Sequence, residues 1–128
     1  MNIICFCPRH PPSPFSSASF VESLDAVGHI DVHRQFDTVV EALRHICIEP
    51  CIALLVIPDL ATLRRFVGLQ DLLSGMKVVL IMPNRHTQTL ALGHKLRPRY
   101  VGFFDSNPSE IHAVLDRLLH SSERIQAV

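Results

Sequence analysis

Two short, wholly apolar runs constrain this chain more than anything else in it: Ile52-Ala53-Leu54-Leu55-Val56-Ile57 and Val78-Val79-Leu80-Ile81-Met82. Each is closed by a proline, Pro58 or Pro83, and each is followed by a helix-like segment. A strand with one wet face alternates apolar and polar residues, so a run with no polar member predicts a strand buried on both faces. Burial on both faces requires helices above and below, which is the arrangement of a parallel sheet joined by crossover helices.

The rest of the chain alternates in the same way. Ile3 to Cys7 predicts a first strand, with Cys5 and Cys7 on one face. Pro8-Arg9-His10-Pro11-Pro12-Ser13-Pro14 predicts a loop, because prolines lack the N–H that a central strand or helix interior needs. Phe20, Val21, Leu24 and Val27 recur at helical spacing, with Ser19 and Glu22 spaced as a capping box and Gly28 as a stop. Ile30 and Val32 alternate with polar residues, predicting a half-exposed edge strand. Phe36, Val39, Val40, Leu43, Ile46 and Cys47 form the stripe of a second helix that ends before Pro50. Pro58-Asp59 opens a third helix, with Asp59 as its cap, Phe66, Leu69, Leu73 and Met76 on one face, and Gly75 near its end. A short fourth helix spans Thr87 to Leu96, and Tyr100 to Phe104 is the fifth strand. Asn107, Pro108 and Glu110 start the fifth helix, whose stripe is Ile111, Val114, Leu115 and Leu118.

Five strands alternating with five helices predict an α/β doubly wound parallel sheet, with helices on both faces because crossovers are right-handed. The flavodoxin-like order 2-1-3-4-5 places the most polar strand, around Ile30, at an edge. A single domain is expected over residues 1–120, with 121–128 as a frayed tail. A domain of this size buries roughly two thirds of its unfolded surface, so its core needs no metal or disulfide.

Composition narrows the partners. Lys and Arg number 12, as do Asp and Glu, so no net field favours nucleic acid or an anionic membrane. No apolar stretch approaches the roughly 18 to 20 residues that span a bilayer, and Met1 to Cys7 lacks the features of a signal peptide. The expectation is a cytoplasmic protein, consistent with four cysteines, Cys5, Cys7, Cys47 and Cys51, kept as thiols. No cofactor, nucleic acid or membrane partner is expected.

In open parallel sheets, ligands sit beyond the carboxyl ends of the strands. Here those loops carry Arg9, His10 and Ser13, then Asp59, then Asn84, Arg85 and His86, then Asp105 and Ser106. The first loop holds no glycine, so it matches neither a dinucleotide-binding turn nor a phosphate-binding Walker loop.

Over its whole length the chain resembles the receiver domain of bacterial response regulators. The likeness is carried by Pro50-Cys51-Ile52-Ala53-Leu54-Leu55, which reads like the run into that family's phosphorylated aspartate, by the short fourth helix, and by Tyr100 to Leu119. Within that stretch Gly102 to Ile111 is similar to the family's lysine-bearing strand and loop. The resemblance implies an acidic pair after the first strand for magnesium, an aspartate ending the third, a hydroxyl residue after the fourth and a lysine after the fifth. The matching positions hold Cys7 and Pro8, Val56, Met82 and Phe104, none of which supplies the required charge or hydroxyl. Valine and proline offer no hard anionic oxygen to Mg²⁺ and nothing to phosphorylate. The resemblance is therefore to a degenerate pseudo-receiver: a non-catalytic, phosphorylation-independent signalling or protein-interaction domain.

Other chemistry competes with this reading. Eight histidines raise the question of metal, but His45, Cys47 and Cys51 lack the paired spacing of zinc sites, and both cysteines continue apolar patterns. His10, Asp59, His86 and Asp105 all lie on strand-end loops and form the candidate set for a small-molecule or metal sensor, the alternative function. Cys7 follows the first strand as in cysteine phosphocarriers and small phosphatases. Its loop has prolines where those need backbone donors, and Ser13 where they need arginine, so no enzyme is expected.

Receivers dimerise through the fourth helix, fifth strand and fifth helix, and the resemblance implies a homodimer through that face, with a further protein partner unknown. Leu90, Leu92, Leu96, Tyr100 and Phe103 would build it, with His94, Arg97, Arg99 and Arg117 around them.

Overall fold

The structure, a computed structural model, describes residues 2–9, 15, 18–24, 28–45 and 51–127. Five strands, β1 (Asn2–Phe6), β2 (His29–His33), β3 (Cys51–Val56), β4 (Lys77–Met82) and β5 (Tyr100–Phe103), form one sheet in the order β2-β1-β3-β4-β5. Every pairing is parallel, with Phe6 opposite both His33 and Leu55, Val56 opposite Ile81, and Met82 opposite Phe103. The helices between and after them are α1 (Ala18–Leu24), α2 (Phe36–Arg44), α3 (Leu60–Val67), α4 (Gln70–Leu73), α5 (Thr87–His94) and α6 (Pro108–Ala127). This is the flavodoxin-like α/β architecture that the apolar runs require.

Both apolar runs are interior. All six residues of β3 are buried, as are five of six in β4. The two-residue period of a strand sorts their side chains onto opposite faces. Ile52, Leu54, Val56, Val79 and Ile81 meet Phe20 and Leu24 of α1 and Ile111, Val114 and Leu115 of α6. Ala53, Leu55, Ile57, Val78, Leu80 and Met82 meet Val39, Leu43, Leu63, Phe66 and Leu73 on the other side. The second layer is keyed by Phe66, whose ring takes edge-on contacts from Phe6 at 5.2 Å and Phe36 at 4.8 Å.

The helix expected from Pro58 to Met76 is in fact two. Gly68 closes α3, its N–H donating to the Arg64 carbonyl at 3.1 Å, and Leu69 starts the one-turn α4. Glycine is the weakest non-proline helix former, and here it ends a helix whose apolar pattern runs on past it. Leu73 thus reaches the core from a separate turn. The predicted fourth and fifth helices are accordingly α5 and α6. At α1, Ala18 is the first helical residue, so Ser19 stands inside the first turn rather than at the cap. Ile46 and Cys47 of the second stripe lie outside the described residues.

Candidate functional site

The rim at the carboxyl ends of the strands is built by the segments after β1, β3, β4 and β5. At the four strand-end positions that the sequence comparison singled out, it is apolar and filled. Cys7 is fully buried, Val56 and Met82 are buried, and Phe104 packs partly buried against the same cluster as Cys7 and Val56. Cys7 N donates to His33 O at 2.9 Å and Phe104 N to Met82 O at 3.0 Å, which carries the sheet pairing one step past the strand ends. Hydrocarbon and thiol thus fill these four positions of the rim.

Cys5 and Cys7 do share a face of β1, and they are coupled. The Cys5 thiol bonds to Cys7, and the Cys7 thiol donates to Phe15 O at 2.6 Å. That bond to Cys7, and then burial, push the Cys5 thiol well above its ordinary value. The same bond, assisted by the nearby Arg34 guanidinium and opposed by burial, holds Cys7 below its own. Arg34 also donates to Cys7 O at 3.0 Å, tying the start of α2 to the end of β1.

The four candidate ligands do not gather into one site. Asp59 caps α3, its carboxylate accepting from Thr62 N at 2.8 Å. Asp105 forms a two-pronged pair with Arg85, at 2.8 and 2.9 Å, and Arg85 lies 4.0 Å over the Phe103 ring. Arg85 accordingly holds the exposed Asp105 carboxyl below its usual value. His86 begins α5 with its N–H donating to Asn84 Oδ1 at 3.0 Å. His10 lies outside the described residues. Among the described residues no three His, Cys, Asp or Glu side chains come together as a metal set. The Arg85–Asp105 pair, which joins the loops after β4 and β5, had no signature in sequence because its partners are 20 residues apart.

On the α5, β5 and α6 side, the expected interface residues divide. Leu96 is core, 5% exposed. Leu90, Leu92, Tyr100 and Phe103 are half-buried, and His94, Arg97, Arg99 and Arg117 are exposed. Tyr100 packs on the α1 and α6 layer and Phe103 on the α5 layer, so the edge strand presents one aromatic to each side of the sheet.

Two clefts flank this framework. One, of about 680 Å³, opens where β4 and β5 begin and is lined by Asp71, Met76, His94, Lys95 and Arg97 among others. The other, of about 470 Å³, lies at the carboxyl ends of β1 and β2, between Pro8, Arg9, Arg34 and Gln35.

These features define a flavodoxin-like α/β domain. No family model matches the chain, and no curated protein does. Among solved structures, the fold is similar to a protein of Burkholderia pseudomallei K96243 described, provisionally, as pilus assembly-related. The two superpose with a TM-score of 0.59 over 91% of this chain and 87% of that one, at 18% sequence identity. At that identity the likeness is one of fold. No helix among the described residues is long and apolar enough to cross a membrane.

Proposed function

We propose that this chain is a cytoplasmic pseudo-receiver that acts by protein contact, as a homodimer through α5, β5 and α6, without phosphorylation or catalysis. One observation carries the reading: Cys7, Val56, Met82 and Phe104 pack as hydrocarbon and thiol where a receiver needs oxygen and ammonium groups. Restoring one acid there would bury an unpaired charge, which is strongly unfavourable. The interface half of the proposal is supported by β5 being an edge strand, with half-buried Tyr100, Phe103, Leu90 and Leu92 bordered by exposed arginines.

Two measurements test it. Incubation with acetyl phosphate and Mg²⁺ should leave the intact mass unchanged; a phosphoryl adduct on an aspartate would refute phosphorylation independence. Sedimentation equilibrium should show a dimer that the double variant Arg99→Glu, Arg117→Glu weakens by tenfold or more. A dimer indifferent to both charge reversals, or a monomeric wild type, would remove this face from the account.

A further inference from the structure

The cleft at the ends of β1 and β2 is a second place to bind, chemically opposite to the His and Asp set and separate from the proposed dimer face. Two of the four described residues that line it are arginines, and among the described residues neither Arg9 nor Arg34 is paired with a carboxylate. Among the described acids of the adjoining β2 and the first turn of α2, each has another basic side chain as its neighbour. Asp31 is bound to His33 at 2.9 Å, and Asp37 faces Arg65 at 3.8 Å.

Arg34 is not a freely swinging surface cation. It is half-buried, and its Nη1 is fixed on the Cys7 carbonyl at 3.0 Å, which orients the rest of the guanidinium before any ligand arrives. A planar fork held in this way loses little entropy on binding and matches two oxygens of an oxyanion. Gln35 adds an uncharged donor. It stands at the N-cap of α2 in extended conformation, and its carboxamide makes no capping bond. The cleft is within the size range of small-molecule sites.

The larger cleft suits an anion less well. That one also has cations, but Asp71 lies among its lining residues, and its His94 and Lys95 sit at the carboxyl end of α5, where the helix dipole repels anions. Among the described residues, the smaller cleft is lined by two positive charges and no acid.

We infer that the cleft between Pro8, Arg9, Arg34 and Gln35 binds the phosphoryl group of a small molecule. Two guanidinium charges balance a phosphomonoester, which carries close to two negative charges at neutral pH, whereas a carboxylate would leave one cation over. Binding would load the Arg34 bridge, and through it the Cys7 carbonyl at the end of β1.

The test is an NMR titration of ¹⁵N-labelled protein at constant ionic strength with inorganic phosphate, ribose 5-phosphate and acetate in parallel. Both phosphates should give saturable shifts at the Gln35 side-chain amide and the Arg34 Nε–H, with acetate far weaker. Tighter binding of the sugar phosphate identifies a phosphorylated metabolite as occupant, and equal binding of the two identifies the bare phosphoryl group as the whole of what is recognised. Removing one charged contact should cost about tenfold in affinity. Arg9→Gln is the cleaner variant, since Arg9 is exposed and Arg34→Gln also removes the bond to Cys7 O. The inference fails if phosphate gives no saturable shift, if acetate matches phosphate, if Arg9→Gln binds like wild type, or if the shifts fall only around Lys95 and Arg97.

Discussion

At the scale of single residues, two side chains invite direct tests. Arg97 has φ of 51°, in the left-handed region that costs a residue with a Cβ about 1 kcal/mol or more. It turns the chain from α5 into β5, its N–H donating to His94 O at 3.1 Å, in a place where glycine would sit without strain. Arg97→Gly should therefore raise stability by up to about 1 kcal/mol in chemical denaturation, after the entropy that glycine gives the unfolded chain is deducted. A loss of stability would mean that the Arg97 side chain makes a contact worth more than its strain. Asp105 supplies the second test. Its carboxyl is depressed in the folded protein by the Arg85 hydrogen bond, so the pair stabilises above the ordinary carboxylate range. That contribution fades as pH falls from there through the folded value. The pair is exposed, so the effect is small and weakened by salt. Melting temperature should thus fall less on acidification in Asp105→Asn than in wild type, and parallel curves would refute the linkage.

At the scale of elements, the sheet was far more legible than the helices. An unbroken apolar run admits few structures once prolines close it, and β3 and β4 appear within a residue of the expected bounds. The expected third helix is split because its backbone stops at Gly68 while the apolar periodicity carries on past it. The fourth was the faintest signal for a physical reason visible in α5, whose buried positions are Thr89 and Gly93 rather than large apolar residues. Gly93 lets α5 lie close on the sheet, with the Met82 methyl over its Cα, so an added methyl would meet that side chain. Gly93→Ala sets a helix-propensity gain of about 1 kcal/mol against an overpacking cost of about 1 to 3 kcal/mol. We expect net destabilisation of about 1 kcal/mol, smaller or reversed in a Met82→Val background. Additivity across the two sites would show that the contact does not limit the packing. Of the candidate site, the apolar, buried strand ends at Val56 and Met82 were legible because an unbroken apolar run fixes where each strand stops. The pairing of Arg85 with Asp105 and the cleft at Arg34 were not, since both depend on which loops the fold brings together.

At the scale of the whole molecule, the sheet separates two apolar layers, and its three inner strands serve both. Hydrogen exchange should accordingly rank β3 amides slowest and those of β2, half-exposed and at an edge, fastest among the strands. A β2 as slow as β3 would contradict a sheet stabilised from its centre. The strand order has a consequence in time as well. β1 lies between β2 and β3, and its pairing with β3 joins residues about fifty positions apart. On the ribosome, at roughly 5 to 20 residues per second, the first strand waits several seconds or more before its inner neighbour emerges. Until then Ile3, Ile4 and Phe6 have at most a polar edge strand beside them, so the nascent β1–β2 segment exposes the kind of apolar surface that chaperones cover.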